Sequence, residues 1–246
     1  MTNSVVIDAF PESGLKYRET HAIVVIDVIR ATTTAVTGVS QGRRIFPVKT
    51  TDEAFVLAEK LEKPIFAGEL GGNVPYGFDL TNSPVQIAAL SAIPAGDFTD
   101  NRRPIILLSS SGTQLMKNAI GSEAIYLACL RNISALVNHL LDRYQKIAVL
   151  GAGTRGQFRR EDQLCCAWVA EKLVKAGYEP ENQETSEIIS RWSGASPEQV
   201  RGGQSEDYLK RSGQVFDLEF ILSHIDDLDV VPMLVDGELL RASLVT

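Results

Sequence analysis

Asp27 and Arg30 stand three residues apart at the end of the apolar run Ala22 to Ile26, and the hydroxyls of Thr32, Thr33 and Thr34 follow at once. A carboxylate, a guanidinium and a new helix N-terminus within one turn can hold an anion beside a cation, and the carboxyl edge of an α/β sheet is where ligands bind. Two further turns share this style, Ser109 to Thr113 (SSSGT) and Gly151 to Gly156 (GAGTRG). Each follows an apolar run and offers backbone N–H groups with hydroxyls or glycines, the equipment for gripping phosphate oxygens. Convergence of the three at one edge of a parallel sheet would build an anion site; three ordinary turns is the competing reading.

Carboxylates supply the other half of that chemistry. Glu69 sits in GELGG, Asp79 in YGFDLTNSP, and Glu161 with Asp162 opens a helical pattern after the glycine loop. The last two also read as first-turn acids favoured by a helix dipole. Acids beside a phosphate repel it unless a divalent cation lies between them, and an all-oxygen donor set favours Mg²⁺ over Zn²⁺. Asn82 or Ser83, ahead of Pro84, is expected to cap a helix whose first N–H groups can also face a ligand.

Other chemistries find less support. Cys129, Cys165 and Cys166 lack CxxC spacing and read as small buried apolar residues, while His21, His139 and His224 form no metal-ligand pattern. Gly151, Gly153 and Gly156 match GxGxxG, yet the acidic residue at the distance of a ribose ligand, Glu171, falls inside a helical pattern, which weakens the dinucleotide reading. A net charge of −7 argues against a broad nucleic-acid footprint. No run reaches the length of a membrane span, and Asp8 and Glu12 stand where a secretory leader would be basic, so a cytoplasmic protein is expected.

The elements that must position these turns alternate. Strands are predicted at Ser4 to Ala9, Ala22 to Asp27, Arg44 to Val48, Pro64 to Ala67, Ile105 to Ser109, Ala124 to Cys129 and Lys146 to Leu150. Helical patterns lie between them at Thr33 to Gln41, Thr51 to Leu61, Pro84 to Ala92, Thr113 to Ala119, Ser134 to Arg143 and Gln163 to Ala176. That order predicts an α/β fold, a three-layer α/β/α arrangement around a mostly parallel or mixed sheet. From Tyr178 to Gly213 the apolar runs vanish, which predicts short helices or a cap-like segment. Val215 to His224 reads as a helix, and Val230 to Val235 with Leu239 to Val245 as a C-terminal hairpin turning at Asp236 and Gly237.

Together these motifs resemble the 2-phosphosulfolactate phosphatase family, Mg²⁺-dependent phosphatases of coenzyme M biosynthesis and their relatives. The resemblance lies in DVIRATTT at Asp27 to Thr34, GELGG at Gly68 to Gly72, GFDLTNSP at Gly77 to Pro84, SGT at Ser111 to Thr113, GAGT at Gly151 to Thr154, and Glu161 with Asp162. VFDLEFILSHIDDLDVVP at Val215 to Pro232 is similar to the family's Asp-rich C-terminal segment. The resemblance implies a single domain over 1–246, bound Mg²⁺, and hydrolysis of the phosphate monoester of a small 2-hydroxy acid, 2-phosphosulfolactate first among them. Assigned by residue type, Asp27 with one or more of Glu69, Asp79, Glu161 and Asp162 would hold Mg²⁺. Arg30 and the N–H groups of Gly112 and Thr113 would clamp phosphate oxygens, and Gly153 and Thr154 would approach the acid group. Thr32, Thr33, Asn82, Ser83 and Ser111 would complete the substrate surface. Activated water and an aspartyl-phosphate intermediate both remain open.

The sequence departs from the family at Ser111, where an Asn is usual, at Gly151, where a Cys is common, and at Arg159 and Arg160, where smaller or apolar residues are usual. These departures keep a second class open, a non-catalytic binder of a phosphorylated or sulfonated metabolite; a nicotinamide-dependent dehydrogenase ranks third. The expected partner is a small phosphorylated acid, with no nucleic acid and no membrane, and a homodimer is expected only because dimers are the commonest oligomers.

Overall fold

A computed structural model describes residues 2–92 and 103–245. The chain begins β1 (Ser4–Ala9), α1 (Ser13–Tyr17), β2 (Ala22–Ile26), α2 (Ala31–Ser40), β3 (Ile45–Val48), α3 (Thr51–Ala58) and β4 (Ile65–Gly68). It continues α4 (Pro84–Ala92), β5 (Ile105–Leu108), α5 (Gly112–Asn118), β6 (Ile125–Ala128), α6 (Ile133–Leu140), β7 (Lys146–Gly151) and α7 (Arg160–Lys175). It closes with β8 (Glu179–Pro180), α8 (Gln183–Trp192), α9 (Gln204–Arg211), α10 (Val215–Ser223), β9 (Pro232–Val235) and β10 (Glu238–Arg241), with short 3-10 turns after α8 and β10. Every predicted strand and helix is present, with ends shifted by a few residues. Sequence reading missed α1 and β8, because five and two residues are too few to carry a period.

The strands form a 10-stranded sheet in the order β4-β5-β3-β10-β9-β6-β2-β7-β1-β8. Successive residues of β2 bury on opposite faces, Ile23 and Val25 with Val36 and Leu115 of α2 and α5, Val24 and Ile26 with Leu136 and Val169 of α6 and α7. Burial on both faces explains the continuous apolar run and gives three layers. Ala54 of α3 packs on Ile106 and Leu108 of β5 in a separate cluster.

The sheet is mixed, with a consequence for the site. β6, β2, β7, β1 and β8 are mutually parallel, as are β3, β5 and β4, but the pairings β6·β9, β9·β10 and β10·β3 are antiparallel. Three reversals turn the second block against the first, so the turns after β2 and β5 do not share one edge of a parallel sheet, the arrangement that one of the two readings of these turns required. They meet nevertheless, with Ser109 Oγ 3.5 Å from Asp27 Oδ2. The hairpin that inserts between the blocks turns at Asp236 (φ 48°) and Gly237 (φ 86°), the left-handed pair a tight two-residue turn requires.

The polar stretch after Tyr178 is only partly a cap. β8 extends the sheet beside β1, and Ile188, Trp192 and Val200 join the large core. α9 borders the site.

Candidate functional site

The chain after β2 spends most of its polarity on itself. Thr32 Oγ1 accepts from the Asp27 N–H at 3.0 Å and donates to the Asp27 carbonyl at 2.8 Å. Thr33 donates to the Val28 carbonyl at 2.7 Å. The same device follows β5, where Thr113 Oγ1 accepts from the Ser109 N–H and donates to the Ser109 carbonyl, both at 2.9 Å. Thr32, Thr33 and Thr113 are buried outside the pocket lining, and their hydroxyls are spent on shaping the turns. Threonine serves because its hydroxyl donates and accepts at once.

What the turns enclose is a pocket of about 520 Å³, lined by Asp27, Arg30, Glu69, Asn82, Ser111 and Thr154 among the expected residues. Asp27 takes the Ala31 N–H on Oδ1 at 3.3 Å. Gly112 packs hard against it: a β-carbon there would overlap Asp27 Oδ2 and sit 2.6 Å from Ala31 Cβ. The Gly112 N–H points to Ser109 Oγ at 3.3 Å, so this amide is not turned to the pocket as a phosphate clamp. Glu69 is gripped by the opposing turn, accepting from the N–H of Ser110 at 2.8 Å and of Gly72 at 2.9 Å. Ser111 Oγ lies 3.4 Å from Thr154 Oγ1, which joins the turns after β5 and β7.

Other expected residues stand behind the pocket or away from it. Asp162 accepts from the Val28 N–H at 2.8 Å and from the Gly153 amide, bracing the two turns from within. Glu161 accepts from the Ser205 hydroxyl and is buried. Ser83 donates to Asp217 at 2.5 Å. Gly153 (φ +58°) lines a neighbouring cavity of about 390 Å³, which shares Ser111, Thr154 and Arg155 with the first. Asp79, expected among the metal ligands, is exposed and outside the pocket lining, and its carboxylate accepts the Phe66 N–H at 2.9 Å. That bond ties the loop back to β4, as Asx side chains in turns do.

The glycine loop also differs from a dinucleotide cradle. Thr154 and Gln157 exchange backbone hydrogen bonds at 2.9 and 3.1 Å around Arg155 (φ 52°) and Gly156 (φ 71°), so the motif closes a tight turn before α7 begins. Glu171 lies within α7, as predicted. Gly151 is explained by Phe158, whose ring occupies the place a β-carbon would take.

Burial and crowded charge raise the carboxyls. Asp27 is pushed up to about 7, first by burial, then by Glu69 and Glu161, against the Ala31 amide and Arg30. Asp162 is raised well above the usual carboxylate range by burial and by Asp27 and Glu161. Glu161 is raised by burial, offset by the Ser205 hydroxyl and by Arg159 and Arg160. A bound cation would relieve this crowding.

The donor chemistry suits Mg²⁺: the candidates are oxygens, and Asn82 Oδ1 is buried beside the acids with no hydrogen-bond partner among the described residues. Among the described residues no three His, Cys, Asp or Glu side chains form a ready cage. Mg²⁺ commonly takes one or two carboxylates and keeps water and substrate oxygens for its other positions, so a sparse donor set still fits.

Several pocket features escaped sequence reading. Asp217 and Gln214, on and just before α10, both receive Arg30 Nη1, Asp217 at 2.5 Å. Their segment matched a family motif but gave no local hint of a partner 184 to 187 residues away. Gln204, Ser205, Asp207, Tyr208 and Arg211 of α9 line the pocket, as do Arg155 and Arg159. Arg160 instead reaches the carbonyls of Gln199 and Arg201. Among the described residues no helix is long and apolar enough to cross a membrane.

Comparison with known proteins places the chain by sequence. The model of the 2-phosphosulpholactate phosphatase family matches residues 8–237. A probable 2-phosphosulfolactate phosphatase of Carboxydothermus hydrogenoformans is 32% identical, aligned over 96% of this chain and 94% of the relative. Another of Deinococcus radiodurans is 29% identical over 94% of this chain and 93% of its own. A third, of Thermotoga petrophila, is 37% identical over 64% of each. With the match running from β1 to the turn of the C-terminal hairpin, the chain belongs to the 2-phosphosulfolactate phosphatase family.

Proposed function

We propose that the chain is a phosphoric monoester hydrolase that uses Mg²⁺ to hydrolyse the phosphate ester of a small 2-hydroxy acid, 2-phosphosulfolactate first among the candidates. The observation that carries this reading is Asp27, a buried carboxyl on the pocket wall held near 7 by burial, Glu69 and Glu161. A carboxyl whose charge its neighbours disfavour this strongly is a place where a divalent cation gains most, and with that cation in place a phosphate can approach the acids.

The chain's residues divide the remaining work. Arg30, pinned by Asp217, presents fixed positive charge to phosphoryl oxygens. The hydroxyls of Ser111 and Thr154 can donate to substrate oxygens where the turns after β5 and β7 meet. Asp162 and Gly112 keep the turns in register around Asp27. Asp27, Glu69 and the Asn82 carbonyl oxygen would hold Mg²⁺, which when bound offsets the negative charge of the transferring group. Phosphate monoesters hydrolyse very slowly unaided, so positioning and charge neutralisation are the main demands on such a site.

The test is phosphate release from small phosphomonoesters, including 2-phosphosulfolactate and phospholactate, with Mg²⁺ and with EDTA. Release with Mg²⁺ that EDTA abolishes is expected. Absence of release by folded protein, with tight binding of the same compounds, would replace the enzyme by a metabolite-binding protein.

A further inference from the structure

Arg155, Arg159 and Arg211 all line the 520 Å³ pocket, and among the described residues none of them forms an ion pair. Arg159 donates to the amide oxygens of Gln157 and Gln204, the former at 3.2 Å. Arg211 donates from Nε to the Asp207 carbonyl at 3.2 Å. These neutral acceptors orient the guanidinium groups without cancelling their charge. Asp207 lines the same pocket and leaves the arginines in excess.

Two features indicate that this charge faces a ligand. Arg155 adopts φ 52° in its tight turn, a left-handed conformation that Gly or Asn takes at lower cost. The three arginines also come from separate pieces of chain, the turn after β7, the residue before α7 and the last turn of α9, yet border one cavity. At about 520 Å³ that cavity exceeds what a phosphate group alone would fill. Guanidinium groups are weakly hydrated planar forks that match carboxylate and sulfonate oxygens.

We propose that in this chain Arg155, Arg159 and Arg211 are the specificity-determining residues that bind the acid group on the alcohol part of the substrate, so that discrimination between phosphomonoesters with and without that group depends on them. The subsite rests on the phosphatase reading for its substrate, and its recognition of a non-phosphorylated acid can be read independently. Arg159 carries most of the discrimination, since Gln157 of the turn after β7 and Gln204 of α9 hold it in place before substrate arrives.

The experiment compares kcat/KM for phospholactate with that for the same skeleton carrying a methyl group in place of the carboxylate, in the wild type, Arg159→Gln and Arg211→Gln. Calorimetric titration with 3-sulfolactate, which bears no phosphate, supplies a readout that needs no turnover. Each variant is expected to lose at least tenfold more kcat/KM on the acid ester than on its methyl partner, mainly through KM, and to bind 3-sulfolactate at least tenfold more weakly. Equal losses on the two esters would assign the arginines to the phosphate and overturn the subsite, as would unchanged selectivity in both variants. If no ester is hydrolysed but 3-sulfolactate binds the wild type and not the variants, the phosphatase reading fails and the subsite stands. If the wild type neither discriminates between the esters nor binds 3-sulfolactate, the subsite falls whether or not phosphate is released.

Discussion

Arg30 Nη1 lies 2.5 Å from Asp217 Oδ2, joining the turn after β2 to a helix 187 residues further along the chain. Both side chains are nearly closed to solvent, and the other Asp217 oxygen takes the Ser83 hydroxyl at 2.5 Å. The C-terminal helix, the start of α4 and the pocket turn are thus fastened at one buried point. A desolvated pair of this kind adds little stability over an apolar replacement but is costly to break from one side. Its value lies in placement: a guanidinium held from behind keeps its position on the pocket wall when substrate arrives.

Asp217→Ala leaves that guanidinium buried without its counter-charge, and an expected loss of about 3–5 kcal/mol follows. For a chain of this size the melting temperature should fall by on the order of 10 °C. At a temperature where the variant is still folded, kcat/KM for a phosphomonoester should drop at least tenfold, and Asp217→Asn, which keeps an acceptor, should recover part of both losses. Thermal melts and steady-state kinetics check this. An Ala variant that melts with the wild type would mean the pair does not form.

Asp27 gives the folded state a pH dependence of definite sign. Its carboxyl is pushed up to about 7, whereas an unfolded Asp titrates near 4. The folded protein therefore binds an extra proton between those values, and this group's contribution to stability is full below about pH 4 and declines as pH rises to about 7. In EDTA, Asp27→Asn should raise the melting temperature at pH 8 and have a much smaller effect at pH 5, and with Mg²⁺ present it should abolish turnover. Mg²⁺ should stabilise the wild type more at pH 8 than at pH 5, since it competes with that proton. An Asn variant less stable than the wild type at pH 8 in EDTA would show that Asp27 is satisfied as an anion.

Gly112 and Asp79 make a paired control. Alanine at 112 would drive a methyl group into Asp27 Oδ2 and Ala31, so the turn must move and kcat should fall by roughly 100-fold, the scale of a catalytic group displaced by about 1 Å. Asp79→Asn keeps an acceptor for the Phe66 N–H and stays outside the pocket lining, so turnover within about twofold of wild type and a melting temperature within a few degrees are expected. A large loss at Asp79 would return it to the site.

The contrast between these two residues shows what one-dimensional reading can reach. The strand ends at Asp27, Ser109 and Gly151 were legible, because buried strands announce themselves as apolar runs and turns as breaks in them. Asp79 looked chemical because its loop is polar, but its carboxylate serves a local turn, a use that composition does not separate from catalysis. Arg30 was legible as a site residue, whereas Asp217 was not assigned, since their contact depends on how α10 folds back against α4. The turns after β2 and β5 meet across a sheet with three antiparallel seams, a property of the whole sheet that no local pattern reports. Of the three arginines proposed for a second anion, only Arg159 was visible in the sequence, as a departure from a family habit; Arg155 and Arg211 reach the pocket through a turn and a helix end that gave no such sign.

Tyr208 tests whether α9 closes over the acidic side of the pocket. Its hydroxyl donates to the Gly72 carbonyl, and the Gly72 N–H in turn donates to Glu69 at 2.9 Å, so the helix bears on Glu69 through one residue. Tyr208→Phe removes that donor at a half-buried carbonyl water can partly reach, so a cost of about 0.5–1.5 kcal/mol and a few-fold rise in KM are expected. Gly72→Ala should do far more. Its φ of +92° disfavours a β-carbon, and that carbon would lie 2.8 Å from Tyr208 Cε2, so either the loop shifts and drags Glu69 or α9 lifts. A rise of at least tenfold in the Mg²⁺ concentration needed for half-maximal rate would report the first outcome, and faster proteolysis within α9 at unchanged Mg²⁺ demand the second. Wild-type behaviour of Gly72→Ala on both readouts would show that α9 and the Glu69 loop are uncoupled, and that the pocket wall they form together opens freely in solution.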